Sequence, residues 1–404
     1  MDFFKAISLK DGIKLLSANM PEIKRETLPL HHAFGRIVSK DVLSQEVVPS
    51  FTRSTVDGYA VKSANILGAS ESIPALLTMV GSVEMGEATT LKVKDGEAVY
   101  VPTGGMLPEG ADTVVMIEYV EGFHDTLAIH KAQSSGDNVI VKGADVGTND
   151  ILMRKGDVLN TRFCSLLASC GVSEVEVYAP LKFAIISTGD ELISIDEPYR
   201  PSAVRDTNTT LLKGAIRPYG TVVFERRIVD DKAIFKDTLR EACQVADVVL
   251  LSGGSSVGQK DATFVTLQEA GEVLFHGLAV KPGKPTILAK TYSKIAIGLP
   301  GHPMACYMTF SNLFGGAYLN HTGHASHKVI HAKAKSNFPS SPGKLSFIPV
   351  SVSYEKDGVY ATPLFTKSGM MSVIAKADGF TCLDENTEGI NQGEGIEVCL
   401  FTED

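Results

Sequence analysis

The residues best suited to chemistry lie between Val248 and Pro303, where VVLLSGGSSVGQKD, LAVKPGKPT and IAIGLPGHP follow one another. Gly253, Gly254 and Gly258 let backbone N–H groups come close to a ligand, and Ser252, Ser255 and Ser256 add hydroxyl donors. Lys281 and Lys284 bring positive charge to the same region. The chemistry this suits is the binding of a phosphorylated ligand. STGDEL supplies Asp190 and Glu191 just past another strand, and Asp230, Asp231 and Asp261 follow further loops. Carboxylates beside a phosphate repel it unless a hard cation lies between, which points to Mg²⁺ held by one or two of them and by ligand oxygens. The plainer alternative is that Asp230, Asp231 and Asp261 open helices, where their charge suits the helix dipole.

These groups need a scaffold that carries several strand ends to one edge. KFAIIST, TVVFERRIV and DVVLLSGG read as strands, and the run from Thr207 and DDKAIFKDTLREACQVA read as helices. Such alternation predicts right-handed βαβ units and a mainly parallel sheet, with ligands held outside the carboxyl ends of its strands. All three strand-like runs of the opening stretch are expected to end at that edge. HPMACYMTFSNLFGGAYLN supplies the last helix, starting at His302 or Pro303.

The rest of the chain predicts further domains. Ser8 and Asp11 form a capping box for a short helix ending near Pro21, and Glu26 to Val48 reads as a turn and two short strands. On a strand, the adjacent His31 and His32 would point to opposite faces and share no metal. Strand-like runs at Leu76–Val83, Ala98–Val101 and Thr113–Ile117 predict a small β domain. Taken alone, Asp57 before Gly58, Thr103 before Gly104 and Gly105, and Asp145 are turn residues. Arg162 to Gly171 reads as a short helix stopped by glycine, and after Gly323 only short alternating runs follow, as in a β-barrel or sandwich. The expected domains are 1–48 with 141–180, 49–140, 181–323 and 324–404.

A length of 404 residues calls for several domains, and 21% charged with 44% hydrophobic residues is ordinary for a globular protein. The net charge of −9 argues against a nucleic-acid binder. No apolar run reaches the ~18 residues of a membrane span, and the first residues carry no basic region followed by an apolar stretch. Six cysteines without a C-x-x-C pair fit reduced thiols and a cytoplasmic location; Cys164 and Cys170 lie in an apolar segment and read as core residues. Neither G-x-G-x-x-G nor G-x-x-x-x-G-K-[ST] is present.

The order FTRSTVDGYAV, PTGGMLPEGADTVVM, KGADVGTNDIL, IISTGDEL, LSGGSSVGQKDAT, LAVKPGKP and GLPGHP closely resembles the molybdopterin molybdenumtransferase family, which includes MoeA and the E domain of gephyrin. The resemblance runs from about Ile7 to the C-terminus. It implies a multidomain α/β plus β fold: two N-terminal mixed or β-rich domains, a central molybdopterin-binding α/β domain and a C-terminal barrel-like β domain. It further implies a homodimer with an active site built across subunits. The implied activity is Mg²⁺-dependent insertion of molybdenum, taken from molybdate as substrate, into adenylylated molybdopterin with release of AMP. Molybdopterin adenylyltransferase and apo-molybdoenzymes are the implied partners. The motifs carry over Asp57, Glu191 and Asp261 as catalytic groups and Asp231, Asp261 and Glu191 as metal ligands. They also carry over Thr103, Asp145, Lys281, Pro300, Pro303 and Ser368 to substrate binding, beside Gly253, Gly254, Ser255, Gly258 and Lys284 of the glycine and lysine loops. His302 stands where the family's LPGNP has asparagine, and GKLSFIP puts Lys344 and Pro349 where the family has two arginines. Two alternatives are a molybdopterin adenylyltransferase, which would not need the first 180 residues or the C-terminal β domain, and a non-catalytic dimeric scaffold of the same pathway.

Overall fold

The computed structural model describes residues 6–253, 262–324, 327–339, 341, 343–364 and 370–401. The chain divides into two compact units, Met1–Glu26 with Lys155–Val158 and Glu176–Asp404, and Thr27–Arg154 with Leu159–Val175.

In the second unit a six-stranded sheet runs in the order Thr113–Met116, Gly58–Val61, Glu97–Val101, Ala75–Ser82, Thr126–Ile129, Val120–Phe123. It is antiparallel except where Ala75–Ser82 lies parallel to Glu97–Val101. Strand alternation sends Val61, Ala98 and Val115 into one buried cluster and Ala60, Val99 and Val114 into another, so the sheet is covered on both faces. The glycine-stopped helix is Thr161–Ser169, capped by Asn160 accepting from the Phe163 N–H. His31 and His32 do not lie on a strand. They occupy a single 3₁₀ turn, Leu30–His32, following Pro29, with ring centroids 4.1 Å apart. The turn forms because the Ala33 N–H reaches back to the Leu30 carbonyl.

The larger unit begins with the helix Leu9–Asn19, where the Ser8 hydroxyl oxygen accepts from the Asp11 N–H as the capping box predicts. Its central sheet has the order Gly220–Ile228, Leu181–Thr188, Val248–Ser252, Lys294–Leu299, Ile287–Thr291, Gly271–His276. The first four strands are parallel, and the last two are added antiparallel at the edge. Leu181–Thr188 and Val248–Ser252 are near-continuous apolar runs because helices cover both their faces. On one side Ala184, Ile186, Val249 and Leu251 pack with Phe235, Leu239 and Ala242 of the helix Lys232–Val245. On the other, Phe183 meets Phe310 and Phe314 edge-on, and Tyr219 joins them. Each such ring pair adds about 0.5–1.5 kcal/mol beyond area burial. The covering helix is Pro303–Thr309, a π-helical stretch Phe310–Phe314, and Gly315–Thr322.

The C-terminal segment forms a closed barrel. Its strands run Leu345–Glu355, Gly358–Pro363, Lys328–Ala334, Gly395–Leu400 and Gly379–Leu383, and the last pairs back with the first. Closure leaves this ring without an unpaired edge, and Ala332, Ala334, Val350, Ala361 and Val398 fill its interior. Two expectations are corrected here. Among the described residues beyond Gly323 there is one helix, Met371–Lys376. Val280–Lys281 is not a strand of the central sheet; it pairs in parallel with Leu345 and Ser346 beside the barrel. A two-residue strand between Gly277 and Pro282 is too short for hydropathy to say which sheet it joins.

Candidate functional site

Three strand ends of the central sheet, at Thr188, Ser252 and Leu299, open onto one cavity of about 1190 Å³. Its opposite wall is the Lys281–Pro285 turn and the barrel residues Lys344, Ser346 and Pro349. Two helices start at its margin, Thr207–Ile216 and Pro303–Thr309. Two things therefore differ from the sequence expectation: the lysine turn reaches the cavity from the barrel sheet, and the barrel builds a wall of it.

The floor is held by close backbone packing. Gly253 has φ +97, and a Cβ there would stand 2.1 Å from the Thr188 carbonyl oxygen, so only glycine fits. Gly301 runs alongside, with its would-be Cβ 3.9 Å from the Gly253 Cα.

Asp206 caps the first helix and ties it to the sheet. Its Oδ1 accepts from the Thr209 N–H at 3.1 Å, and its Oδ2 accepts from the Ser187 and Thr209 hydroxyls at 2.6 and 2.7 Å. Asn208, the second residue of that helix, is 6% exposed. Its Nδ2 donates to Ser252 Oγ at 2.7 Å and to the Gly301 carbonyl at 2.9 Å. Neither Asp206 nor Asn208 was singled out from the sequence; the run from Thr207 read only as helix. The available signal was the Asp-Thr-Asn start, in which an N-cap residue is followed by a second polar group at the foot of a buried helix face. Within the Pro303–Thr309 helix, burial pushes the Cys306 thiol far up, and Asp206 adds to that, so this cysteine is an inert packing group.

Of the sequence-derived residues, Glu191, Gly253, Lys281, Lys284, Pro300 and Pro303 all line the cavity. Glu191 is exposed at its rim. Lys281 Nζ donates to the Ser341 hydroxyl at 2.5 Å. His302 is the residue before the Pro303–Thr309 helix and also faces the cavity, as do Lys344 and Pro349. Asp231 does not line it. Its Oδ1 accepts from the Ala233 and Ile234 N–H groups, both at 2.9 Å, as the N-cap of Lys232–Val245. Asp230 Oδ1 accepts from the Thr188 hydroxyl at 2.5 Å, and the Asp230 N–H donates to Asp190 Oδ1 at 3.2 Å. Gly254, Ser255, Gly258, Asp261 and Ser368 lie outside the described residues.

Asp57, Thr103 and Asp145 belong to the other unit. The Thr103 N–H donates to Asp57 Oδ1 at 2.8 Å, so these two are brought together. Asp145 is exposed, and its N–H donates to the Val48 carbonyl.

Among the described residues no group of three or more His, Cys, Asp or Glu is placed to hold a metal by itself. Mg²⁺ ordinarily takes only one or two protein carboxylates and completes its shell with water and phosphate oxygens. Glu191 fits such a sparse set, since its carboxylate is exposed at the rim, whereas both oxygens of Asp206 are already engaged.

A barrel-walled α/β cavity of this kind, lined by three lysines and a glycine turn, has donors and positive charge of the type an anionic ligand needs. Comparison with known proteins then places the chain. Family models match residues 7–171 (MoeA N-terminal region, domains I and II), 184–319 (described as a probable molybdopterin binding domain) and 331–401 (MoeA C-terminal region, domain IV). A relative from Methanocaldococcus jannaschii, whose name provisionally places it in molybdopterin biosynthesis, is 31% identical over 399 residues, covering 96% of this chain and 95% of its own. The molybdopterin molybdenumtransferase of Bacillus subtilis is 28% identical over 409 residues, covering 98% and 95%. A crystal structure of a MoeA molybdopterin biosynthesis protein from Pyrococcus horikoshii superposes with a TM-score of 0.83 at 28% identity, covering 98% of this chain and all of that one. This chain belongs to the MoeA family. Among the described residues no helix is long and apolar enough to cross a membrane.

Proposed function

We propose that this protein acts in molybdenum cofactor biosynthesis as a molybdopterin molybdenumtransferase. It takes adenylylated molybdopterin and molybdate, inserts the molybdenum, and releases AMP. The observation that carries the reading is the cavity itself: Lys281, Lys284 and Lys344 on one wall face three strand ends and two helix starts on the other. Oxyanions need that charge, and a phosphorylated ligand suits loops at the carboxyl ends of parallel strands.

Each residue has a part that its chemistry allows. Lys281 and Lys344 attract molybdate and orient its oxygens. The Gly253 turn brings backbone close to the ligand. Glu191, with Asp261, is proposed to hold Mg²⁺, which when bound offsets negative charge on the phosphoryl oxygens. Asp57, fixed by the Thr103 N–H, is proposed to complete the site of a second subunit in a homodimer. A cytoplasmic location, an adenylyltransferase as donor of the substrate and apo-molybdoenzymes as acceptors belong to the same proposal.

The test is to incubate the purified protein with adenylylated molybdopterin, Mg²⁺ and molybdate and to follow AMP by chromatography. Molybdate-stimulated AMP release is expected. A folded protein that releases none, with or without molybdate, sinks the assignment.

A further inference from the structure

We infer that His31 and His32 form a surface site for one divalent transition-metal ion of the Cu²⁺ or Ni²⁺ class, held through one imidazole nitrogen from each. Nothing in it depends on the proposed function: the pair lies in the unit Thr27–Arg154 with Leu159–Val175, and the ion is not Mg²⁺. Adjacent residues of a strand point to opposite faces and share no ion, but these two do not lie on a strand. Leu30–His32 is a 3₁₀ turn, and it sets the two rings edge to face, with centroids 4.1 Å apart and planes 65° apart. Both residues are exposed, so a dissolved ion reaches them directly. Among the described residues neither ring has a hydrogen bond or an ion pair to give up.

Spacing decides what such a pair can hold. Nitrogen–metal bonds of about 2.0–2.1 Å, with two imidazoles at right angles on one ion, place the ring centroids roughly 4.5 Å apart. The observed 4.1 Å is a small side-chain rotation away from that arrangement. The backbone beneath is already fixed. The Leu30 N–H donates to the Ser173 carbonyl at 2.8 Å, the Ala33 N–H to the Leu30 carbonyl at 3.2 Å and the Gly35 N–H to the Leu159 carbonyl at 2.8 Å, and Ala33 is fully buried. Only side-chain torsions are left to order when an ion binds, which favours chelation. Imidazole suits copper, nickel and zinc, with Cu²⁺ the most strongly held of the three, whereas Mg²⁺ prefers oxygen. Two protein ligands leave the other positions to water, in keeping with the lack of any larger ligand group among the described residues.

The test uses the full chain in a buffer that binds no metal, titrated with CuCl₂ or NiCl₂ by calorimetry, with electron paramagnetic resonance for Cu²⁺. One equivalent is expected to bind more tightly than any further ion, Cu²⁺ above Ni²⁺, with two imidazole nitrogens coupled to the Cu²⁺ spin. His31→Gln and His32→Gln are each expected to weaken that first equivalent about tenfold or more and to leave one coupled nitrogen. The double variant is expected to lose little beyond either single one, because a lone imidazole no longer chelates. Both rings are exposed, so all three variants should keep the Tm of the parent. An affinity in either single variant within about twofold of the parent overturns the inference. So does a Cu²⁺ signal that keeps both nitrogens in the double variant. An unaltered protein that binds no first equivalent, or one whose Ni²⁺ is displaced by excess Mg²⁺, overturns it without any variant.

Discussion

Asp57 Oδ1 accepts the Thr103 N–H at 2.8 Å, joining two turn residues that stand 46 positions apart in the sequence. Both side chains are exposed, so the bond spends one carboxylate oxygen on fixing the Gly104 turn and leaves the other outward. Charge and turn support can be separated here, because an asparagine amide oxygen still accepts. Asp57→Asn is expected to change stability by only a few tenths of a kcal/mol, and Asp57→Ala to cost about 1 kcal/mol, read from urea midpoints. Both are expected to lower molybdate-stimulated AMP release tenfold or more, as roughly 1.4 kcal/mol of lost transition-state stabilisation would do. Full activity in Asp57→Asn would show that the carboxylate only holds the turn.

The Gly253 turn offers a sharper structural test. Its φ of +97 and the 2.1 Å approach to the Thr188 carbonyl oxygen leave no room for a methyl group. Gly253→Ala is expected to cost about 2 kcal/mol or more, since strain and a backbone clash add. Calorimetry should show a lowered Tm, and ligand binding should weaken because the displaced backbone is the cavity floor. An unchanged Tm would mean that the turn is held less tightly than this geometry requires.

Much of this arrangement was legible in the sequence, for identifiable reasons. Local signals such as the Ser8 cap, the glycine stop at Gly171 and the apolar strand Val248–Ser252 depend only on neighbouring residues, and they read correctly. Asp231 read equally well as helix opener and metal ligand; the structure uses its Oδ1 as the opener. What did not read is what depends on distant partners. Val280–Lys281 finds its partner at Leu345 and Ser346, more than sixty residues away, and no periodicity in two residues can announce that. Asn208 looked like an ordinary polar position in a helix, because its partners Ser252 and Gly301 come from other strand ends. Glu26 to Val48 reads as a turn and two short strands, whereas Pro29 and a local carbonyl bond turn Leu30–His32 into 3₁₀.

Burial holds the imidazoles of His324 and His327 below their ordinary range, partly offset in His324 by its hydrogen bond with the Gly156 carbonyl. A histidine whose folded pKa is depressed favours its neutral form in the folded state. The unfolded chain then takes up protons first as pH falls, so stability is full above the unfolded value of about 6.5 and declines below it. Asp112 acts in a lower window. Burial raises its pKa, but the Ser63 N–H and hydroxyl outweigh this and the carboxyl sits low, so its contribution is lost only below about pH 4. Urea midpoints are expected to be level from about pH 7 to 8 and to fall between 6.5 and 5. In His324→Gln with His327→Gln that fall should largely vanish; an undiminished slope would assign it to other groups.

Lys281 carries the last prediction. It stands at the cavity on a two-residue strand, exposed apart from the bond it donates to the Ser341 hydroxyl, and its backbone is held by the barrel sheet. Its charge can therefore be removed without removing its strand. Lys281→Met keeps the aliphatic stem, and its stability is expected to stay within about 0.5 kcal/mol of the parent. The molybdate concentration that half-saturates AMP release is expected to rise roughly tenfold, the loss of one charge-assisted contact. Because part of that attraction is screened, the parent should show a stronger salt dependence than the variant between about 50 and 300 mM salt. Lys344 gives the matching experiment from the barrel side, where Pro349 provides no positive charge of its own. If Lys281→Met and Lys344→Met both leave the molybdate dependence untouched, the lysine wall is not where the oxyanion binds.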